Sequence, residues 1–375
     1  MTTENKPQDD QPAHPKRGFL SSRAAVVTGL AVGVALLGAV AVPATAATSP
    51  HASTVSSHSV ASAGETSTVA QRTVAYWTRA RLLSARDADT IKSASATDSR
   101  AALARVSGPA GHVAGATPDQ ALAGPSQRIP APARPGVRPE SGSVGSPWTG
   151  NFGAPPATTT GKVFFTTRNG EGWQCSASTV NSNGKNAVIT AGHCVYGSLG
   201  GEVPGETWHT NWVFIPDYDN GYAPYGEWTD RQLWTLTSYV NNQDEGDDIG
   251  AAVVNTNSYG QHIVNVVGGQ GFAWNWPSSE YVYDFGYPAA APFNGETLQY
   301  CNGSEFSDPY ISSTMGLDCN FTGGSSGGPW LMDFNGEFGY INGVNDFGIT
   351  SISGEIFSAY FGNNADALYN AVANL

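Results

Sequence analysis

From Trp148 to the C-terminus the chain is a succession of short runs rich in β-branched and aromatic residues, each closed by Gly, Asn or Pro. KVFFTT (162–167), AVIT (187–190), WVFI (212–215), LWTLTSYV (233–240), IGAAVV (249–254), IVNVV (263–267) and YVYDF (281–285) are examples. Such residues suit a pleated, half-buried surface, and turn residues at this spacing predict an all-β sandwich or barrel. No repeat of 20–50 residues recurs, which excludes a propeller or solenoid. The end differs. After Asn363 and Asn364, the residues Leu368, Ala371, Val372 and Leu375 recur at helical spacing and predict one terminal helix.

Charge divides the chain at about residue 140. Residues 1–140 hold 14 Lys/Arg and 9 Asp/Glu, whereas 141–375 hold four basic residues against 22 acidic ones, a balance of −18. All four cysteines and nine of the ten tryptophans lie in the acidic part, which is therefore the globular body. Its charge excludes a nucleic-acid surface, which must be basic.

Lys16, Arg17 and Arg23 precede an uncharged apolar run (24–42) and Ala44-Thr45-Ala46, the layout of an export signal over residues 1–46. Export leads to an oxidising compartment, where four cysteines form disulfides. The expected location is extracellular, with no membrane attachment after signal removal. Residues 47–140 are rich in Ala, Ser, Arg and Pro and read as a largely disordered propeptide or linker. YWTRARLLSAR (76–86) is the part of it with a helical stripe.

Three short segments carry chemistry. His193 stands in AVITAGHCV (187–195), where a strand runs into a turn, with Cys194 beside it and Cys175 upstream. His209 and His262 have no comparable setting and read as structural. In GDDIGAAVV (246–254) an acidic pair enters a buried strand, and Asp248, or else Asp247, is placed to orient a histidine ring. In GGSSGGP (323–329), glycines around Ser326 let backbone N–H groups converge without Cβ obstruction. A serine nucleophile, a histidine base and an orienting carboxylate together make an acyl-transfer centre.

TAGHC, DDIG and GGSSGGP, in that order, resemble the chymotrypsin-like (trypsin-like) serine endopeptidases. The likeness is closest to the secreted bacterial trypsin-like and glutamyl-endopeptidase-like branch, and it extends over about 160–375 through FIPDYDNGYAPYGEW (214–228) and FGYPAAAPFNGETLQYC (285–301). The resemblance implies two six-stranded antiparallel Greek-key barrels (141–258 and 259–375) with the site in the cleft between them. It implies the triad His193, Asp248 and Ser326, and an oxyanion hole from the N–H groups of Gly324 and Ser326. It further implies the disulfides Cys175–Cys194 and Cys301–Cys319, a protein or peptide substrate, and a monomer.

Ser325 stands where the zymogen-activated animal branch has an aspartate that receives a freed ammonium. Without that acid, the expected role of the propeptide is inhibition by blockage. The specificity pocket is expected at Asn320 and Phe321, with Asn345, Asp346, Phe347 and Gly348 as its other wall. Asparagine favours a neutral, aromatic or broad preference, while Asp346 would favour a basic one. No cofactor is expected, although Asp217–Gly221 and Asp244–Asp248 hold enough oxygen ligands to leave a structural calcium ion open. The competing reading, a catalytically silent barrel that binds protein or glycan, is disfavoured because all three catalytic residues are present. An esterase is disfavoured by the lack of a G-x-S-x-G elbow in an α/β setting.

Overall fold

The computed structural model describes residues 54–60, 66–88, 91–92, 108–119, 144–197, 199 and 207–375. The expected signal peptide and the proline-rich stretch 124–140 lie outside them. Six elements precede the body: β1 (Val55–Ser59), α1 (Thr66–Tyr76), α2 (Arg79–Ser84), β2 (Arg86–Asp87), β3 (Ile91–Lys92) and β4 (Gly111–Val113). The segment read as largely disordered thus forms helices and strands in its described part. The physical reason lies in the body, whose sheet edges supply the backbone partners that the segment lacks alone. Trp77, its one tryptophan, is buried against Phe164, and its indole N–H donates to Asn211 O at 2.6 Å.

After β5 (Ser146–Pro147) come β6 (Thr160–Thr166), β7 (Gly172–Thr179), β8 (Ala187–Ala191), β9 (Tyr196–Gly197), β10 (Thr207–Trp208), β11 (Thr210–Pro216), β12 (Trp228–Leu236) and β13 (Ile249–Val254), with α3 (Thr237–Asn242) between the last two strands. Six of these close a barrel in the order β12-β11-β6-β7-β8-β13, and β13 pairs back on β12. Every pairing in that ring is antiparallel. Val163, Phe165, Ile189, Val213, Ile215, Leu233 and Val253 are fully buried. β1 extends this sheet along β12.

The run IVNVV, expected as a strand, is instead a short helix, α4 (Ile263–Val267). Ile263, Val264 and Val267 are its buried residues, a helical face, and Gly268 ends it with φ +86°. A five-residue apolar run carries no period that separates strand from buried helix, so tertiary packing decides.

The second half contains β14 (Gly271–Trp274), β15 (Tyr281–Gly286), β16 (Gln299–Ser304), β17 (Phe306–Ser307), β18 (Thr314–Asp318), β19 (Pro329–Met332), β20 (Tyr340–Val344), β21 (Gly348–Ile349), β22 (Glu355–Ala359) and the terminal helix α5 (Asn363–Val372). One sheet runs β4-β14-β20-β19-β15-β16-β5 and a smaller one β17-β18-β22. The β14–β20 pair is parallel, and the others in the body are antiparallel. The Cys301–Cys319 disulfide ties β16 of the larger sheet to the chain leaving β18 of the smaller. The mostly β body with its terminal helix has the two-barrel architecture of a chymotrypsin-like chain.

Candidate active site

Strand β8 ends at Ala191 and passes directly into a 3-10 turn, Gly192–Cys194, that carries His193. The Cys175–Cys194 disulfide fastens this turn to β7. Asp248 is the last residue before β13, which pairs with β8 in a register that sets Ile249 opposite Ala191. The imidazole and carboxylate are therefore brought together by one antiparallel pair. Asp248 Oδ1 accepts the His193 backbone N–H at 2.8 Å, and Oδ2 lies 2.9 Å from Nδ1. Both side chains are buried. An ionised carboxylate only accepts, so this bond puts a proton on Nδ1 and leaves Nε2 to do chemistry. Asp247, the other acid of the pair, faces elsewhere and accepts from Ser238 Oγ and Asn364 Nδ2.

Two more groups steady the turn. His209 Nε2 donates to His193 O at 2.9 Å, and its ring stacks on Phe165 at 4.2 Å. Burial lowers its pKa to about 4, so it stays neutral at pH 7. Trp212 Nε1 donates to Cys194 O at 3.1 Å.

Ser326 comes from the second half, in the turn before β19, and is 6 % exposed. Gly324 and Gly327 adopt φ +92° and +80°. A Cβ on Gly327 would stand 2.0 Å from Thr190 Oγ1 and 2.4 Å from Ser176 O, so the turn lies hard against β7 and β8. Ser176 holds it from the first barrel: its N–H donates to Ser326 O at 2.7 Å and its hydroxyl to Gly324 O at 2.9 Å. Asn345 holds it from the other side. Its carbonyl accepts from Gly327 N–H, its N–H donates to Gly328 O, and its Nδ2 reaches both Asp284 Oδ1 and Ser325 O. Ser325 turns away, its hydroxyl donating to Thr322 O. Ser176 was not legible as a site residue, because a buried serine has no local pattern that marks a remote partner, and Asn345, expected in the pocket wall, instead braces the Ser326 turn.

The Ser326 hydroxyl donates to the carbonyl of Ala88, 238 residues earlier, at 3.1 Å. The Gly324 N–H donates to the same oxygen at 3.3 Å. One of the two expected oxyanion donors thus already holds a carbonyl oxygen beside the serine. The Ser326 N–H lies in the same turn.

The expected pocket residues are divided. Asn320 Oδ1 accepts from Gly145 N–H at 2.7 Å, and Phe321 meets Phe293 edge to face at 5.8 Å. Phe347 stacks on Phe357, and Gly348 pairs with Ile91 of β3. The Asp346 carboxylate accepts from Ala359 N–H, and burial together with the nearby Asp248 charge pushes its pKa well above the usual range. Among the described residues the metal-like clusters are Cys175/His193/Cys194 and Asp284/Cys301/Cys319, whose sulfurs are paired in disulfides.

No family model and no curated protein matches the chain. Solved structures do. The protease Anisep from Arthrobacter nicotinovorans is 39 % identical over 62 % of this chain and all of its own, with a TM-score of 0.55. The thermostable serine protease AL20 from an extremophilic microorganism is 38 % identical over 58 % of this chain and 97 % of its own, with a TM-score of 0.53. The chain belongs to the chymotrypsin-like serine proteases. Membership of this family makes the protein a peptidase with a peptide substrate.

Proposed function

We propose that this protease is an exported serine endopeptidase, made as a proprotein, that cleaves peptide bonds through an acyl-enzyme on Ser326. The observation that carries the reading is the buried His193–Asp248 pair, at 2.9 Å, on a barrel whose Ser176 also holds the turn that bears Ser326 and offers the Gly324 N–H. His193 Nε2 takes the Ser326 proton as Oγ attacks the substrate carbonyl, then returns it to the leaving amine. Water repeats the two steps on the ester. Asp248 keeps the proton on Nδ1 and stabilises the imidazolium. The N–H groups of Gly324 and Ser326 bind the oxyanion, each such donor lowering the barrier by about 2.7–4 kcal/mol.

Residues 1–46 are the signal peptide, 47–140 the propeptide, and 141–258 and 259–375 the two barrels. The protein acts outside the cell. Two disulfides support this, and no helix among the described residues is long and apolar enough to cross a membrane. Asn320 and Phe321 form the base of the side-chain pocket, which accepts neutral or aromatic residues. The Asp346 carboxylate, turned onto Ala359 N–H, supports this preference over a basic one.

The test is labelling of the processed protein with a fluorophosphonate, alongside hydrolysis of a peptide library. A single adduct on Ser326 is expected, absent in Ser326→Ala and slowed by at least about 10⁴-fold in His193→Ala. An adduct that persists in Ser326→Ala would sink the mechanism.

A further inference from the structure

The contact at Ser326 comes from the chain's own upstream segment. Arg86–Ala88 lies along β7, with Arg86 opposite Trp173 and Asp87 opposite Gln174 in a parallel pairing. Three residues further on, Ile91 and Lys92 pair, again in parallel, with Gly348 and Ile349 of β21. β7 belongs to the closed barrel and β21 to the second half, so two successive pieces of one segment engage both walls of the cleft.

Each residue of the first piece has its own anchor. The Arg86 guanidinium sits 4.3 Å over the Trp173 ring and pairs with Glu171. Asp87 Oδ1 accepts from Gln174 Nε2 at 2.6 Å. The buried Lys162, whose pKa burial lowers to about 8, is partly held up by the charges of Glu296 and Asp87. Ala88 N–H donates to Gln174 O at 3.0 Å, and the residue is fully buried. Its carbonyl oxygen takes the hydrogen of the nucleophile and the N–H of Gly324. Upstream, Trp77 and Leu82 are buried, Trp77 against the first barrel.

We propose that Arg86–Ala88 is a built-in ligand of the catalytic cleft, which keeps the proprotein latent by seating the Ala88 carbonyl on Ser326 Oγ and the Gly324 N–H. This rests on the endopeptidase reading and names the residues that regulate it. The contact blocks and does not acylate: the Ser326 hydrogen points at the carbonyl oxygen, whereas attack requires Oγ on the carbon with its proton passing to His193. The tie is also releasable. Parallel ladders are slightly weaker per residue than antiparallel ones, and both of these are two residues long. Once the chain is cut downstream, the segment is no longer tethered to the body through the backbone, and its contacts, among them β1 on β12, the buried Trp77 and Leu82, and β4 on β14, become intermolecular and subject to dilution.

The experiment compares uncleaved proprotein with protein cut between residues 119 and 144. Ser326 in the uncleaved form should react with a fluorophosphonate at least about 100-fold more slowly. Ala88→Pro in the uncleaved form should restore at least about tenfold of that rate, since proline has no N–H for Gln174 O. Trp77→Ala should do the same through a different anchor. A fluorescent peptide of residues 66–92 should bind the cut protein in anisotropy measurements, and its Ala88→Pro version at least about tenfold more weakly. Equal labelling rates in the two forms, or self-cleavage of the proprotein after Ala88 seen by intact mass, would overturn the proposal. Peptide binding without any labelling of the cut protein would retire the endopeptidase reading and leave the docked segment standing. Labelling of both forms with no peptide binding would do the reverse.

Discussion

The two halves of the catalytic body hold their functional groups by different means. In the first, a hydrogen-bonded ring of six strands closes on itself, and His193 and Asp248 stand at the ends of two adjacent strands of that ring. In the second, two sheets are joined by a disulfide, and Ser326 sits on a turn whose shape depends on Asn345 behind it and Ser176 across the cleft. A closed ladder sets the register of His193 and Asp248, and the Cys175–Cys194 disulfide, His209 and Trp212 steady the turn that carries the histidine. The nucleophile is positioned by side chains, one of them from the opposite barrel. The histidine and aspartate should therefore tolerate change around them better than the serine does.

Removing each disulfide in turn is the sharpest way to break this comparison. The bridges close loops of nearly equal length, with separations of 19 and 18 residues, so the unfolded-state contribution of each is about 3 kcal/mol. Any difference must then come from the native architecture. Cys301→Ala with Cys319→Ala should cost more stability in denaturant unfolding than Cys175→Ala with Cys194→Ala, because the first barrel has a closed ladder to fall back on. The latter pair should instead lose activity, since Cys194 adjoins His193. Equal stability losses would remove the distinction.

Gly327→Ala probes the nucleophile turn. The added Cβ would collide with Thr190 and Ser176, and a displacement of about 1 Å at a nucleophile costs on the order of 100-fold in rate. The expected result is a kcat lowered by about that factor with little change in KM. Unchanged kcat would mean that the turn is not cast against the first barrel.

The smallest effect concerns pH. Burial pushes Asp230 in the first barrel and Glu305 in the second up to about 8. Above about pH 4 the unfolded chain releases these protons while the native protein keeps them until about pH 8. The unfolded state then binds fewer protons, so stability falls as pH rises through that window, by at most about 1.4 kcal/mol per pH unit for each group. Asp230→Asn and Glu305→Gln should each flatten the dependence of Tm on pH. The change should be smaller for Glu305, which also accepts hydrogen bonds from Asn342 Nδ2 and Glu280 N–H.

Much of this was legible beforehand where the signal is local. Short runs of β-branched and aromatic residues mark β6, β8 and β13, and the helical spacing of Leu368 and Val372 marks α5. Glycines crowd around Ser326 because the turn needs positive φ at Gly324 and Gly327, and that need is written in residue type. The run IVNVV misled because five apolar residues are compatible with both periods. The described part of residues 47–140 departs from its composition in another way. Composition measures what a segment buries by itself, and this one draws its partners from the sheet edges of the body. Its single tryptophan, now found against Phe164, was the available hint.

The sequence by itself determined the chemical inventory: a histidine, a carboxylate and a glycine-framed serine in a family order, four cysteines, and an acidic body preceded by a basic segment. These are properties of residue type and spacing, which survive in an unfolded chain. Tertiary structure supplied the reason that Asp248, already the preferred acid in the sequence, meets the imidazole: strand register sends its side chain to His193 and that of Asp247 to Ser238 and Asn364. It also decided that Ala88 meets Ser326. Contacts between residues 238 positions apart depend on which sheet edges are open and how two walls face each other, and no local pattern carries that information.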